Sequence, residues 1–154
     1  MRIKIQGNAK NIHNKVIRYA AHFFAKCLIS QRLSSKINVK IVFCELLKSE
    51  QAYGDAIFTK NSWRPRDFEI RLHHNMSKSR TLRVLAHEMV HVQQWAKGRM
   101  VDLSTGEVWF YKKNYSSTVM DKCKPWQLPW EAEAMFKEEV LLTFYKNGKI
   151  QPLK

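Results

Sequence analysis

Apolar and polar residues alternate in three stretches of the chain. Ile3 and Ile5 alternate with Arg2, Lys4 and Gln6, up to Gly7-Asn8. Ile37, Val39, Ile41 and Phe43 alternate with Lys36, Asn38 and Lys40. Phe68, Ile70 and Leu72 alternate with Glu69, Arg71 and His73 over Asp67 to His73. A period of two predicts half-buried strands. Tyr53 to Lys60, with Gly54 near its start, reads as a further strand. The polar run Glu45 to Gln51 precedes it, and a turn over Asn61 to Arg66, containing Pro65, follows it.

Elsewhere the spacing is three and four. Ile12, Val16, Tyr19, Ala20, Phe23, Phe24 and Cys27 predict a helix from Lys10 to about Leu33, closed by Ser34-Ser35. A second helix runs from Thr81 to about Lys97, with Ser79 or Thr81 as its cap and Gly98 as its stop. Leu82, Leu85, Met89, Val92 and Ala96 form one stripe of it, and Val84, Val90 and Trp95 make its flanks apolar. A helix apolar nearly all round is buried. A third helix, Trp130 to about Lys146, has Pro129 in its first turn and Asn147-Gly148 as its stop. Its expected core positions are Ala134, Val140, Leu141 and Phe144. Between the last two helices regularity falls. Val101 to Asp121 suggests only a strand or hairpin near Glu107 to Tyr111, and Lys122 to Pro129 is irregular.

These elements predict an α+β protein, with a small mostly antiparallel or mixed sheet of about four strands. The sheet packs on the N-terminal and central helices. The 154 residues make one domain, without repeats, large enough for a substantial core. No apolar run approaches a membrane span, and Met1 to Lys10 lacks the apolar region of a secretory signal. The expectation is a cytoplasmic protein. Cys27, Cys44 and Cys123 are odd in number and widely spaced, so they read as reduced thiols. The net charge of +14, with a pI near 9.9, leaves room for a nucleic-acid partner. The basic residues are spread along the chain, however, and form no familiar nucleic-acid-binding motif.

The candidate chemistry sits on the central helix. His87-Glu88-Met89-Val90-His91 reads H-E-x-x-H. Residues four apart on a helix share a face, so both imidazoles can reach one metal ion. Glu88 then lies beside them as general base for a water held there. Gln94 shares the face of the two histidines, opposite the core stripe. Inward-facing histidines on a buried helix need polar partners or a metal.

A catalytic zinc ion usually takes three protein ligands and one open position. No histidine follows His91. The acids and thiol beyond it are Asp102, Glu107, Asp121, Cys123, Glu131, Glu133, Glu138 and Glu139. A carboxylate on a second helix packed against the first is one solution, compatible with the helix dipole in the first turn, and the third helix opens with Glu131 and Glu133. They point about 200° apart, so only one of them can bind.

Leu85 to Gln94 and Pro129 to Ala134 together resemble the small gluzincin-type metallopeptidases called SprT-like in phage and bacterial genomes. The resemblance implies a zincin-like fold, one Zn²⁺ ion, and Glu131 as third ligand, three residues before the small Ala134; Glu133 is the alternative. Many relatives carry an aspartate after that small residue, where this chain has Met135. The implied activity is hydrolysis of a peptide or protein substrate, laid extended along Phe68 to Leu72 as an edge strand. Gln94 would support a ligand from behind. Tyr111, Tyr115, His73 and His74 are candidates for stabilising the oxyanion or touching substrate. Trp95, Trp126 and Trp130 are expected to pack around the site. The competing expectation is a DNA-associated or degenerate metal-binding module, acting as an adaptor for nucleic acid or a host protein.

Overall fold

A computed structural model describes residues 1–45, 53–59 and 62–153 of the chain. The architecture is α+β. Strand β1 (Arg2–Gln6) leads through helix α1 (Asn14–Leu28) and the short α2 (Gln31–Ser34) to β2 (Asn38–Cys44). Strands β3 (Gly54–Phe58) and β4 (Asp67–His73) follow, then the central helix α3 (Lys78–Ala96). The sheet has the order β1-β2-β4-β3 and is mixed. The pairs β1–β2 and β2–β4 are parallel, and β3 runs antiparallel to β4.

The predicted alternation accounts for the layering. Val39, Ile41 and Phe43 of β2 and Phe68, Ile70 and Leu72 of β4 turn their side chains to one face and are buried. In register, Val39 meets Phe68 and Ile41 meets Ile70. Helices cover this face. The other face is polar, with Lys40 bonded to Glu69 across the strands at 2.9 Å and Arg71 paired with Asp55.

Strand β4 lies between β2 and β3, so both of its edges are occupied. The expectation of a free edge at Phe68 to Leu72 is therefore corrected: among the described residues the edge on that side is β3. The expected strand Tyr53 to Lys60 is formed over Gly54–Phe58, and its end at Lys60 lies outside the described residues. So do Asn61 of the expected turn and the polar run beyond Glu45.

The first helix is shorter than its spacing suggests. Lys10 to His13 form no helix, because Lys10 N–H bonds the His74 carbonyl and Asn11 Nδ2 donates to the Met76 carbonyl. At the other end Ile29 and Ser30 are extended, and the Ser30 hydroxyl caps α2. The buried stripe is Ile17, Ala20, Ala21, Phe24 and Leu28. Tyr19, expected in the core, is mostly exposed and stands against Phe23 and Tyr145.

Helix α3 is buried on nearly all sides, as its composition predicts. Its cap is Ser77 rather than Ser79 or Thr81; the Ser77 hydroxyl accepts from Arg80 N–H at 3.3 Å. At its far end Gly98 takes φ +67°, Gly98 N–H bonds the Trp95 carbonyl and Arg99 N–H the Gln94 carbonyl. This Schellman ending requires a residue free to enter the left-handed region.

A small antiparallel sheet follows: β5 (Met100–Asp102), β6 (Val108–Phe110) and β7 (Lys113–Tyr115). The expected strand near Glu107 to Tyr111 is its middle member. Helix α4 (Ser117–Met120) and a 3-10 turn over Pro125–Gln127 lead to α5 (Pro129–Lys146). Ala134 and Leu141 of α5 are fully buried, while Val140 and Phe144 lie at the margin. Helix α5 packs along α3, and α3 packs against α1, β3 and β4. No described helix is long and apolar enough to cross a membrane.

Candidate metal centre

The site forms where α3 and α5 face each other. Helix α3 turns Leu85, Ala86, Met89 and Val92, all fully buried, toward the core. One turn apart on another face are His87 and His91, with ring centroids 4.8 Å apart. Pro129 starts α5, which places Glu131 in its first turn. Ala134 is small and fully buried, so α5 comes close to α3. The Glu131 carboxylate thereby reaches both imidazoles.

Three donor atoms converge. His87 Nε2 and His91 Nε2 are 3.1 Å apart. Glu131 Oε2 is 3.1 Å from His87 Nε2, and Oε1 is 3.5 Å from His91 Nε2. Ligands about 2.0–2.2 Å from a tetrahedral zinc ion stand about 3.3–3.5 Å from one another. The observed separations match to within a few tenths of an ångström. Among the described residues His87, His91 and Glu131 form a group able to hold a metal ion.

The back of each imidazole decides what faces the centre. Gln94 Nε2 donates to the Trp130 carbonyl at 3.0 Å and to Glu133 Oε2 at 2.9 Å. That turns Gln94 Oε1 toward His91 Nδ1, 2.8 Å away, so Nδ1 carries the proton and donates. His87 Nδ1 likewise faces Glu138 Oε2 at 2.9 Å, and Arg83 Nη1 holds the other Glu138 oxygen at 3.0 Å. Both Nε2 lone pairs then point at each other across 3.1 Å. Such an arrangement needs a cation between them, a proton or a metal. The donor set therefore fits a metal ion.

The charges point the same way. Burial opposes a charge on His87, but hydrogen bonds to Glu131 and Glu138 outweigh it and hold its pKa up at about 10. Burial also opposes a charge on His91, and Glu131 and Glu88 outweigh it, raising its pKa. Glu131 is pushed up by burial and pulled further down by both histidines, to about 2. Glu88 is nearly inaccessible; burial raises it to about 7, against the pull of His91 and His87.

These groups open on a cleft of about 340 Å³. One wall is Gly54, Asp55 and Ala56 of the edge strand β3. The strand comes this close because residue 54 lacks a side chain. A Cβ there would stand 2.4 Å from Val84 Cγ1 of α3 and 3.0 Å from the Arg71 carbonyl oxygen. The remaining lining is Trp95, Met100, Asp102, Val108 and Trp130 with His87, Glu88, His91 and Glu131.

Compared with protein-family models, curated proteins and solved structures, the chain has no match. What the chain does must be read from the geometry of the site.

The expected site residues divide sharply. His87, Glu88, His91 and Glu131 share the cleft, and Gln94 stands behind His91. Glu133 is not among the converging donors. Its carboxylate accepts from Lys137 Nζ at 2.6 Å and from Gln94, pointing away from the imidazoles. His73 and His74 stack on each other at the end of β4, outside the cleft. Tyr111 sits on the β6–β7 turn, edge-on to Phe110 and under the Arg99 guanidinium. Tyr115 packs edge-on against Trp130, 5.4 Å between centroids, without lining the cleft. None of these four faces the donors. Trp95 and Trp130 pack at the site as expected. Trp126 does not; it is exposed and carries Lys124 over its ring.

Two residues gain roles that their sequence positions did not announce. Glu138, two turns beyond Glu131, supplies the carboxylate behind His87, and Met135 is half exposed. A carboxylate seven residues after a ligand on the same helix face was the available signal. Asp102, weighed in the sequence as a ligand, lies apart from the donor group and lines the cleft instead.

Proposed function

We propose that this protein is a zinc-dependent metallopeptidase of gluzincin type, with a zincin-like arrangement of edge strand, H-E-x-x-H helix and ligand-bearing second helix. The observation that carries the reading is the convergence of His87 Nε2, His91 Nε2 and a Glu131 carboxylate beside buried Glu88. A resident zinc ion would polarise the scissile carbonyl and acidify the attacking water. His87, His91 and Glu131 would hold it, with Glu138 and Gln94 fixing the two rings. Zinc is favoured over harder cations because two of the three donors are imidazole nitrogens.

Glu88 does the proton work. Its carboxylate accepts a proton from the attacking water as the C–O bond forms, then delivers it to the leaving nitrogen as the C–N bond breaks. Burial raises Glu88 in the metal-free site, and a cation held by the three donors would draw it back toward the carboxylate that accepts the water's proton. Substrate would lie extended against β3, whose outer edge is unpaired among the described residues. This replaces Phe68 to Leu72 as the docking edge.

The test is proteolysis of an unfolded protein substrate by zinc-loaded wild type and by Glu88→Gln. We expect the variant to keep its metal and to lose about 10²- to 10⁴-fold in kcat. A wild type that binds no zinc, or a Glu88→Gln variant that cleaves at full rate, refutes the reading. Retained zinc without any cleavage, together with salt-dependent binding to DNA, would favour the adaptor instead.

A further inference from the structure

We propose that Asp102 makes the cleft a pocket for a cationic substrate side chain, arginine or lysine, next to the scissile bond. The inference rests on the metallopeptidase reading and names the substrate class of that site. Asp102 ends β5 and lines the cleft with the donors and Glu88. Its Oδ1 accepts from Trp95 Nε1 at 3.1 Å, which fixes the carboxylate beside the indole. Among the described residues no lysine, arginine or histidine is bonded to it.

The chain has cations to spare, 27 lysines and arginines against 13 acids. Several partly buried acids have taken a cation, whereas Asp67 and Glu107, which are bonded to Asn38 and Thr105, have not. Asp55, on the opposite wall of the cleft, is held by Arg71. Glu133 holds Lys137 and Glu138 holds Arg83. Asp102 lines the cleft wall without one, and a ligand cation would supply what the fold does not.

The walls fit the rest of such a side chain. Met100 and Val108 offer apolar contact for an aliphatic stem. Trp95 and Trp130, both largely buried, contribute the margins of their rings to the same wall. A carboxylate with one oxygen already committed to an indole N–H still presents the other for a charge-assisted bond. The volume, about 340 Å³, falls within the range of ligand pockets. Asp55 would not substitute, because its two oxygens are taken by Arg71.

The experiment pairs peptides that differ only in Arg, Lys, Gln or Leu at the positions flanking the cleaved bond. The zinc-loaded full chain should prefer Arg or Lys. Asp102→Asn keeps an acceptor for Trp95 Nε1 and removes the charge; the ratio of kcat/KM for Arg over Leu peptides should fall about 10- to 100-fold. Zinc content and Tm should stay at wild-type values. Cleavage by the wild type without a basic preference overturns the pocket and leaves the peptidase reading standing. Absence of any cleavage overturns both. If Asp102→Asn does not fold, wild-type binding of arginine hydroxamate and leucine hydroxamate, measured by calorimetry, decides. Equal affinities refute the proposal, and a tenfold preference for the arginine compound supports it.

Discussion

Zinc binding to this site should release at least one proton at neutral pH, with an affinity that climbs steeply as the solution is made basic. The cause is local. Without a metal, His87 Nε2 is protonated, because Glu131 and Glu138 outweigh burial and hold its pKa at about 10. A ligand nitrogen must be neutral. At pH 7 the imidazolium stands three units below its pKa, so freeing the lone pair costs about 4 kcal/mol. Apparent affinity should therefore rise about tenfold per pH unit from 6 to 9 and level off near 10. His91 is raised in the same direction, which can only steepen the slope. Glu131 contributes nothing to it, since it is ionised down to about pH 2. The assay is competition with a chromophoric chelator at several pH values, with calorimetry in buffers of different ionisation heat to count protons. Glu138→Gln removes one of the two carboxylates that raise His87, so its release should end at lower pH. Affinity flat between pH 6 and 9, with no proton passed to buffer, would sink both the assigned ring orientations and the charge argument.

Other outcomes test the scaffold around that centre. Gly54→Ala should cost about 1–3 kcal/mol in denaturant unfolding, because its Cβ would meet Val84 Cγ1 at 2.4 Å. The double variant with Val84→Ala should recover part of that loss, and simple additivity of the two would contradict the close approach. Lys112→Gly should stabilise by about 0.5–1 kcal/mol, a Tm gain of about 1–4 °C, because Lys112 sits at φ +68°. An unchanged or lowered Tm would mean that the turn carries no such strain.

Much of this fold can be read from the chain because its strands and long helices bury one face each. The alternation in β1, β2 and β4 and the apolar girdle of α3 fix what faces inward. Strand order is a different matter. A strand buried on one face alternates in the same way at an edge or at the centre, so nothing in Asp67 to His73 marked β4 as interior. The breaks around α1 were hidden because the competing partners of Lys10 and Asn11, at His74 and Met76, are more than sixty residues away. The small sheet was obscure for two reasons. Its strands have three residues each, too few to show a period. Its hairpin turns on Tyr111 and Lys112, both at positive φ, where Asn-Gly would have announced it.

The site was legible in proportion to how local it is. His87, Glu88 and His91 are fixed by one helix and its period. Glu131 needed a second helix, and its choice over Glu133 depends on how α5 is rotated against α3. That rotation is held by a buried chain of polar groups. Lys137 Nζ bonds both Glu133 and Gln93, and Gln93 donates to the Leu28 carbonyl at the end of α1. No spacing rule along the sequence specifies such a chain, since its members come from three helices.

The placement of two donors on α3 and one on α5 has a mechanical consequence. His91 and Glu131 lie about forty residues apart, and the small sheet, α4 and the 3-10 turn all hang between them. An ion shared by both residues would tie that excursion into a closed ring. Loop-closure entropy puts such a tie at about 4 kcal/mol, comparable to a disulfide spanning the same length. Five of the residues that line the cleft, Trp95, Met100, Asp102, Val108 and Trp130, lie inside the ring. The candidate metal centre and the shape of the cleft beside it would then share one removable crosslink.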